Sequence, residues 1–268
     1  MRTKTLSLIL SAAASLSTAM LAPQVAAAPP QLSMTPLVTA QNSPDALQAL
    51  MDEGIALINT GRFQEALAAF EPVVAQVPNY APAQVGKGYA LYQLERYDEA
   101  IATLTRATEL DSTHEYAWIW LGIALDDSGQ PEAALRAYDE AIALNAENDD
   151  VWFHQGITLS RLERYAESLA AYSKAVDLNP SFERAWLNRG RVAGQLGQLE
   201  VALDSFDQVL QLNRDNGTAW YFKGLALMSL GRDEAAIAAF EESLVLDPSL
   251  TQAQENIEEI RQRQQALI

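Results

Sequence analysis

Three arginines stand close together in a chain that is otherwise strongly acidic. Arg184, Arg189 and Arg191 fall within eight residues, although the formal net charge of the whole chain is -17. A guanidinium is a planar fork of N–H donors that pairs with a carboxylate through two parallel hydrogen bonds. This cluster indicates recognition of a carboxylate or an acidic segment. The alternative is surface ion pairing with acids such as Asp150 or Glu183, which adds little stability.

Side chains suited to catalysis or metal binding are sparse. The chain has two histidines, His114 and His154, no cysteine, and none of the common hydrolase, zinc-protease or nucleotide-binding motifs. The aspartate pairs at 126–127 and 149–150 lack the alternating spacing of a calcium loop. The segment NRDNG at 213–217 falls in a turn between repeated blocks. The sequence therefore predicts no enzyme, no metal site and no cofactor.

The elements that hold these side chains repeat at a fixed interval. A tryptophan followed four residues later by a glycine occurs at Trp118, Trp152, Trp186 and Trp220, which are 34 residues apart. A period of this size indicates a repeat architecture. Extending the register gives six blocks: 47–80, 81–114, 115–148, 149–182, 183–216 and 217–250.

Each block is predicted to form two antiparallel helices. Apolar or small residues at positions 4, 8 and 11 of a block, and again at 20, 24 and 27, have the spacing of one helical face. Position 15 is glycine in four blocks, which favours a left-handed residue that ends the first helix. Residues at position 33, such as Asn79 and Ser181, are expected to be the N-caps of the next helices. The predicted fold class is all-α.

This pattern resembles the tetratricopeptide repeat. Block 115–148 matches it best, through Trp118, Leu121, Gly122, Leu125, Ala134, Tyr138 and Ala141. The resemblance implies a right-handed solenoid of helical hairpins, a superhelix ended by a capping helix at 251–268. Gln84 in place of the tryptophan, and polar residues at position 7, depart from the pattern and are expected to weaken the inner packing slightly.

Glycine occupies position 8 in all six blocks, inside a predicted helix. A glycine there costs about 1 kcal/mol relative to alanine. The resemblance implies that this glycine faces the small residue at position 20 across a close helix contact, as with Gly190 and Ala202. We therefore expect a structural role for these glycines and none in binding.

The resemblance also implies a concave groove, in which ligand peptides contact positions 2, 5, 6, 9, 12 and 13 of the first helices. Carried onto this chain, these positions give the predicted groove residues: Tyr89, Tyr92, Tyr116, Ile119, Ile123, Phe153, Ile157, Arg161, Arg184, Leu187, Asn188, Arg191, Tyr221 and Leu225. Arg161, Arg184 and Arg191 are predicted to bind a carboxylate. Asn188 is predicted to hold the peptide backbone, whereas Arg189 is expected to turn toward the second helix. Aromatic residues at these positions are also common in the family whatever the ligand, so both interpretations stay open.

One subset of the family grips the C-terminal carboxylate of chaperones. It requires a lysine at position 5 and an asparagine at position 9 of one repeat. No block has that pair, and only Asn188 matches the wider pattern. A chaperone adaptor of that type is therefore not expected.

The N-terminal 27 residues are typical of a secretory signal peptide. Arg2 and Lys4 precede an apolar stretch, and small residues precede a predicted cleavage site before Ala28. An uncleaved anchor is the alternative, but the stretch is short and rich in alanine for a membrane span. Residues 28–46 are rich in proline, threonine and glutamine and are predicted to be a flexible linker.

The repeat array is predicted to start and stop with recognisable signals. Ser43 and Pro44 have the pattern of an N-cap followed by a proline at the first helical position. Ala253, Ile257 and Ile260 share one face of the final segment, and the rest of that segment is charged or glutamine. Such a segment covers the last repeat on one side and meets water on the other.

These features together predict an exported, non-catalytic scaffold that binds a peptide segment or partner protein in its groove. The acidic chain is not expected to bind nucleic acid or anionic membranes, and no membrane span is expected in the mature chain. A periplasm or an equivalent lumen is the expected compartment, with secretion as a further option. The alternatives are a homo-oligomeric assembly factor and a binding subunit of a polysaccharide or envelope enzyme system.

Overall fold

The computed structural model describes residues 43–266, and within that range the chain is helical with no strand. The helices are α1 (Pro44–Asn59), α2 (Phe63–Gln76), α3 (Ala81–Gln93), α4 (Tyr97–Leu110), α5 (Glu115–Asp127), α6 (Pro131–Leu144), α7 (Asp149–Arg161), α8 (Tyr165–Leu178), α9 (Glu183–Gln195), α10 (Leu199–Leu212), α11 (Gly217–Ser229), α12 (Asp233–Leu246) and α13 (Thr251–Gln265). The predicted all-α repeat fold is confirmed. The predicted signal peptide at 1–27 and the linker up to residue 42 lie outside the described residues.

The helices form two compact units, each built of antiparallel hairpins that pack on one another. The N-terminal unit ends at Leu144 and contains α1 to α6. The C-terminal unit begins at Asn145 and contains α7 to α13. None of the described helices has both the length and the apolar character that crossing a membrane requires.

The first helix begins as predicted. Ser43 is its N-cap, and its Oγ accepts a hydrogen bond from the backbone N–H of Ala46 at 3.2 Å. Pro44 occupies the first turn, where a missing N–H removes no helical bond.

The turn inside each hairpin needs a residue with positive φ. Gly61, Gly129, Gly197 and Gly231 supply it, with φ of 74°, 82°, 70° and 69°. Two blocks place a glutamate there instead, and Glu95 and Glu163 adopt φ of 60° and 58°. The left-handed turn predicted from the glycines is therefore confirmed, and it forms even where a side chain makes it less favourable.

The N-caps predicted at position 33 are wrong by one residue. The helix that follows each turn between blocks has its N-cap residue at position 34, and at Asn148 and Asn216 the side chain accepts a backbone N–H bond. The residue at position 33 instead closes the turn itself. Ser181 donates its Oγ and its N–H to Oδ1 of Asn179, at 2.7 and 3.2 Å. The side chain at position 33 is thus hydrogen-bonded within an Asx-type turn and does not cap the helix.

The repeated tryptophan fastens the turn that precedes its own helix. The indole N–H of each donates to a carbonyl six residues earlier, at 2.9–3.0 Å, in Trp118, Trp152, Trp186 and Trp220. Gln84 replaces the tryptophan in the second block and is buried. Its Nε2 donates to the carbonyl of Pro78 at 3.1 Å, again six residues earlier. The expected weakening at Gln84 is wrong as far as this hydrogen bond is concerned.

The glycine at position 8 gives room to a large side chain of the second helix. A Cβ on Gly190 would lie 2.5 Å from Cε1 of Phe206, and a Cβ on Gly122 would lie 2.4 Å from Cε1 of Tyr138. The close contact is confirmed, but the predicted partner is wrong. The nearest atoms belong to position 24 and not to the small residue at position 20, because the missing Cβ points at that ring.

Polar residues at position 7 bond between repeats in the C-terminal unit. Arg189 on α9 reaches Ser173 on α8 and Ser205 on α10, and Lys223 on α11 forms an ion pair with Asp207 on α10 at 2.6 Å. Arg189 and Lys223 thus connect neighbouring hairpins, whereas the predicted slight weakening of the inner packing at position 7 stays a prediction.

The last helix covers the end of the C-terminal unit. Ala253, Ile257 and Ile260 on α13 are almost fully buried and belong to the same core cluster as Phe240 on α12. The opposite face of α13 is exposed. An amphipathic helix in this place prevents the last hairpin from exposing its apolar face.

Candidate functional site

A cavity of about 660 Å³ lies in the C-terminal unit, lined by residues of five helices from α7 to α11. That volume is typical of sites for small ligands or short peptide segments. Aromatic rings and polar groups share the lining: Tyr165, Tyr172, Phe206 and Phe222 supply rings, and Ser160, Arg161, Asn188, Arg191, Gln195 and Ser229 supply polar atoms. The cavity therefore offers both an apolar floor and groups that bind charge.

Five of the predicted groove residues line this cavity. They are Ile157, Arg161, Asn188, Arg191 and Leu225. They come from three successive first helices, α7, α9 and α11, and each has a position in its block that the family implies for ligand contact. Helical spacing brings them to one surface.

The other predicted residues of the C-terminal unit lie outside the cavity lining. Phe153 is fully buried and packs on Tyr172, with 5.9 Å between the ring centroids. The guanidinium carbon of Arg184 lies 5.0 Å from the Phe153 centroid. Leu187 and Tyr221 are partly buried against the core of the last two hairpins. Three of these side chains serve packing, and only Arg184 is exposed.

In the N-terminal unit the predicted groove residues Tyr89 and Tyr92 pack against Trp120. The ring of Trp120 lies 4.4 Å from that of Tyr89 and 5.7 Å from that of Tyr92, measured between centroids. Ile119 and Ile123 are buried. The aromatic side chains at this place therefore pack against one another.

Polar contacts also hold the aromatic residues of the N-terminal unit in place. The hydroxyl of Tyr92 donates to Oδ2 of Asp127 at 2.8 Å. Burial raises the pKa of Tyr92 above its ordinary value, and the hydrogen bond to Asp127 raises it further. Tyr116 is half-buried at the start of α5. Tyr92 is therefore a structural neighbour of the acids at the end of α5.

Two aromatic residues at position 6 were missing from the predicted set. Trp120 joins the cluster just described, and Phe222 stacks on Phe206 with 5.9 Å between centroids and 18° between planes. Phe222 packs against position 24 of the preceding block, which is large and aromatic in most blocks, and that pairing in the register of the repeat would have indicated it. Trp120 packs instead on Tyr89 and Tyr92, at positions 9 and 12 of the preceding block, and the register gives no comparable signal for it.

The cavity rim is cationic. Burial raises the pKa of Tyr172, and the positive charges of Arg191 and Arg161 and the hydrogen bonds with Asn188 and Ser168 oppose that rise. Both guanidinium groups therefore act on the neighbourhood of one phenol. Arg191 is held by Phe222, whose centroid lies 5.3 Å from the guanidinium carbon. The cavity lining contains no aspartate and no glutamate.

Arg189 turns away from this cavity, as predicted. Its Nε donates to Oγ of Ser173 at 3.0 Å and its Nη1 to Oγ of Ser205 at 2.7 Å. Burial lowers the pKa of Arg189, and the nearby carboxylates of Asp204 and Asp177 oppose that shift. Its guanidinium connects α8 and α10 through these two serines and does not lie on the cavity rim.

The other polar candidates are His114 and the acids at the end of α5. Within residues 43–266 no group of three or more histidines and acids is placed to hold a metal ion. Burial lowers the pKa of His114, which stands at the N-cap position of α5 but makes no side-chain capping bond. Asp126 is buried near the end of that helix.

Comparison with known proteins identifies the repeat. The family model described as the tetratricopeptide repeat matches residues 51–115, 121–183 and 187–250. No curated protein matches the chain in sequence.

Several solved structures share the fold. YrrB, a tetratricopeptide protein with an unusual peptide-binding site, is 22% identical over 70% of this chain and 96% of its own, with a TM-score of 0.64. A chain of the Cut9–Hcn1 assembly of APC/C is 19% identical over 80% of this chain but only 42% of its own, with a TM-score of 0.62. MamA is 18% identical over 62% of this chain and 96% of its own, with a TM-score of 0.58. At these sequence identities, the similarity to the solved structures shows only that the fold is shared.

Proposed function

This chain belongs to the tetratricopeptide repeat family, and we propose that it is a non-catalytic scaffold that binds a peptide segment of a partner protein. The binding site is the cavity between α7, α9 and α11. Membership of the family leads us to expect protein binding, and the cavity is where we expect the peptide segment to bind.

One observation carries this proposal. Five predicted groove residues of the C-terminal unit share one cavity, and there they combine apolar side chains with cations and an amide. The lining contains no histidine, aspartate or glutamate, the side chains that most often act as general bases. Binding is therefore favoured over catalysis. YrrB, whose described function is peptide binding at a site of its own, supports the same assignment.

Gly194 offers a direct test. It lies in the cavity lining, and a Cβ added there would meet nothing within 4 Å. Gly194→Trp is expected to fill the cavity without disturbing α9, whereas Gly194→Ala leaves the cavity open.

The measurement is selection from a random library of displayed peptides on the purified full-length protein, followed by affinity determination with fluorescence anisotropy. Selected peptides should bind the wild type and Gly194→Ala and lose at least about tenfold in affinity for Gly194→Trp. A library that yields no binder, or binders that are indifferent to Gly194→Trp, would count against the proposal.

We also propose that the protein is exported to a periplasm or an equivalent lumen. The support is the sequence of residues 1–27, with its basic start, apolar stretch and small residues before Ala28. Cell fractionation and intact mass of the cellular protein test it. A mass that retains Met1, or a protein found only in the cytosol, would contradict export.

A further inference from the structure

Gly194 is a glycine that the packing of the protein does not explain. It lies in the last turn of α9 and lines the cavity. Gly190 on the same helix is needed because a Cβ there would meet the ring of Phe206, and Gly197 is needed for its positive φ. A Cβ at Gly194 would meet nothing within 4 Å. The missing side chain at Gly194 therefore leaves open a place that the protein itself does not fill.

The same position of the repeat is filled in the N-terminal unit. Gly194 stands at position 12 of its block, and the equivalent residue of the second block is Tyr92. The ring of Tyr92 lies 5.7 Å from that of Trp120, measured between centroids. An aromatic contact within the protein thus occupies position 12 in that unit. We take the open position at Gly194 as room for a side chain of a ligand.

The floor of the cavity is aromatic. Phe222 stacks on Phe206 with 5.9 Å between ring centroids and 18° between planes, and both residues line the cavity. Tyr165 and Tyr172 add two further rings to the lining. Aromatic rings attract one another in offset or edge-on arrangements with centroids about 4.5–7 Å apart. An aromatic side chain is therefore the best match for this floor.

Arg191 places a cation beside the floor. Its side chain is exposed, and its guanidinium carbon lies 5.3 Å from the centroid of Phe222. Among residues 43–266 no carboxylate forms an ion pair with Arg191. The attraction to Phe222 comes from the ring quadrupole and uses no acceptor oxygen, so the planar fork of N–H donors can still pair with a carboxylate. Arg191 can bind an anionic group without first losing an internal ion pair.

The polar part of the lining is spread over three helices. Ser160 lies on α7, Asn188 and Gln195 lie on α9, and Ser229 lies on α11. The axes of packed helices are about 8–10 Å apart, whereas an extended chain advances about 3.3 Å per residue. The lining is therefore longer than one residue. It suits an extended segment of several residues, whose backbone groups these polar side chains can bind.

The short distance between floor and cation limits how the ligand groups can be spaced. Phe222 takes part in both contacts, with the guanidinium carbon of Arg191 and with the ring of Phe206. In an extended chain, adjacent side chains point to opposite faces, and residues i and i+2 share one face about 6.6 Å apart. Residues i and i+4 are about twice as far apart. A ring and a carboxylate two residues apart therefore match the cavity.

We infer that the cavity binds an extended internal segment of a partner protein in which an aromatic and an acidic residue are separated by one residue, in either order. The aromatic ring contacts Phe206 and Phe222 in the cavity that Gly194 leaves open, and the carboxylate pairs with Arg191. This inference rests on the proposed function and adds the chemical class of the ligand. An internal segment is the occupant because the polar lining extends over three helices, and a terminal residue would not span it.

The test is a library of displayed heptapeptides with phenylalanine fixed at the centre and every other position random. The peptides are fused through their C-termini, so no terminal carboxylate is free. After selection on the purified full-length protein, aspartate and glutamate should be enriched about fivefold or more at the positions two residues before or after the phenylalanine, because an acid there reaches Arg191. The positions adjacent to the phenylalanine should show no such enrichment.

Two matched variants test the role of Arg191. Arg191→Met keeps an apolar stem and removes the guanidinium, and Arg214→Met is the control, because Arg214 is exposed in the turn before α11 and does not line the cavity. Selected peptides are synthesised with an amidated C-terminus. Replacing their acid by its amide should weaken binding about tenfold for the wild type and Arg214→Met, and less than about twofold for Arg191→Met. Circular dichroism establishes that each variant is folded.

The outcomes separate this inference from the proposed function. Acids enriched at another spacing or not at all, or an acid preference that survives Arg191→Met, would overturn the inference. Peptide binding in the cavity would still stand if those peptides lose affinity for Gly194→Trp. Binders from the fully random library but none from the phenylalanine library would also overturn the inference, since the cavity would then not take an aromatic side chain. No binder from either library would remove both proposals.

Discussion

Gln84 donates its side-chain amide to the carbonyl of Pro78 at 3.1 Å. The same bond, from side chain to a carbonyl six residues earlier, is made by an indole in the next four blocks. A glutamine and a tryptophan have different shapes, but both can bring an N–H to the same carbonyl. In these five blocks the donor at position 4 is thus kept even where the aromatic ring is not.

Gln84→Met should destabilise the protein by about 1 kcal/mol, because the donor is lost while the length of the side chain is kept. Gln64→Met on the exposed face of α2 is the control. Urea unfolding followed by circular dichroism measures both. Equal midpoints for Gln84→Met and the wild type would show that the bond to Pro78 contributes nothing to stability.

Gly190→Ala should destabilise the protein by about 1–3 kcal/mol, because the new Cβ would meet the buried ring of Phe206. Gly194→Ala on the same helix should be neutral or stabilising, since its Cβ meets nothing and alanine favours helix.

A double-mutant cycle in the Phe206→Ala background tests the cause. The cost of Gly190→Ala should shrink there, because the space left by the ring receives the methyl group. An unchanged cost would place the origin of the effect elsewhere than in the contact with Phe206.

The sequence was sufficient for the parts of the fold that depend on local rules. The positive φ at Gly61 and its equivalents follows from the absence of a side chain, and the start of α1 follows from Ser43 and Pro44. The N-caps at position 34 were missed because Asn179 competes for the side chain of Ser181. A propensity scale for single positions does not contain that competition.

The candidate site was predicted only in part, because the sequence register does not show how a side chain packs against the neighbouring helix. The register placed Arg161 and Arg191 on the ligand-facing side, and they line the cavity. It placed Tyr89 there as well, but Tyr89 packs against Trp120. Whether an aromatic side chain lines a groove or fills it depends on the neighbouring helix, and that information lies 30 or so residues away in the chain.

Glu163→Gly should stabilise the protein by about 1 kcal/mol, because a residue other than glycine is strained at positive φ. Gly197→Ala, at the same place in the next block, should destabilise it by a similar amount. Thermal unfolding of the two variants beside the wild type gives the comparison. Shifts in the same direction would contradict a conformational origin.

Arg189→Met should destabilise the protein while leaving peptide affinity nearly unchanged. The substitution keeps the apolar stem but removes both bonds, to Ser173 and to Ser205, at a cost of about 1–3 kcal/mol. Ser205 keeps its bond to the carbonyl of Val201, so the loss is expected to fall mainly on the contact between α8 and α9.

Arg214→Met is the control for this loss, since Arg214 is exposed. Unfolding midpoints measure stability, and anisotropy with a selected peptide, at a temperature where both variants are folded, measures binding. A loss of affinity for Arg189→Met as large as that for Gly194→Trp would contradict the expectation that Arg189 acts on stability alone. We expect instead that stability and binding depend on different arginines of α9, because Arg189 bonds to Ser173 and Ser205 and does not line the cavity, whereas Arg191 does.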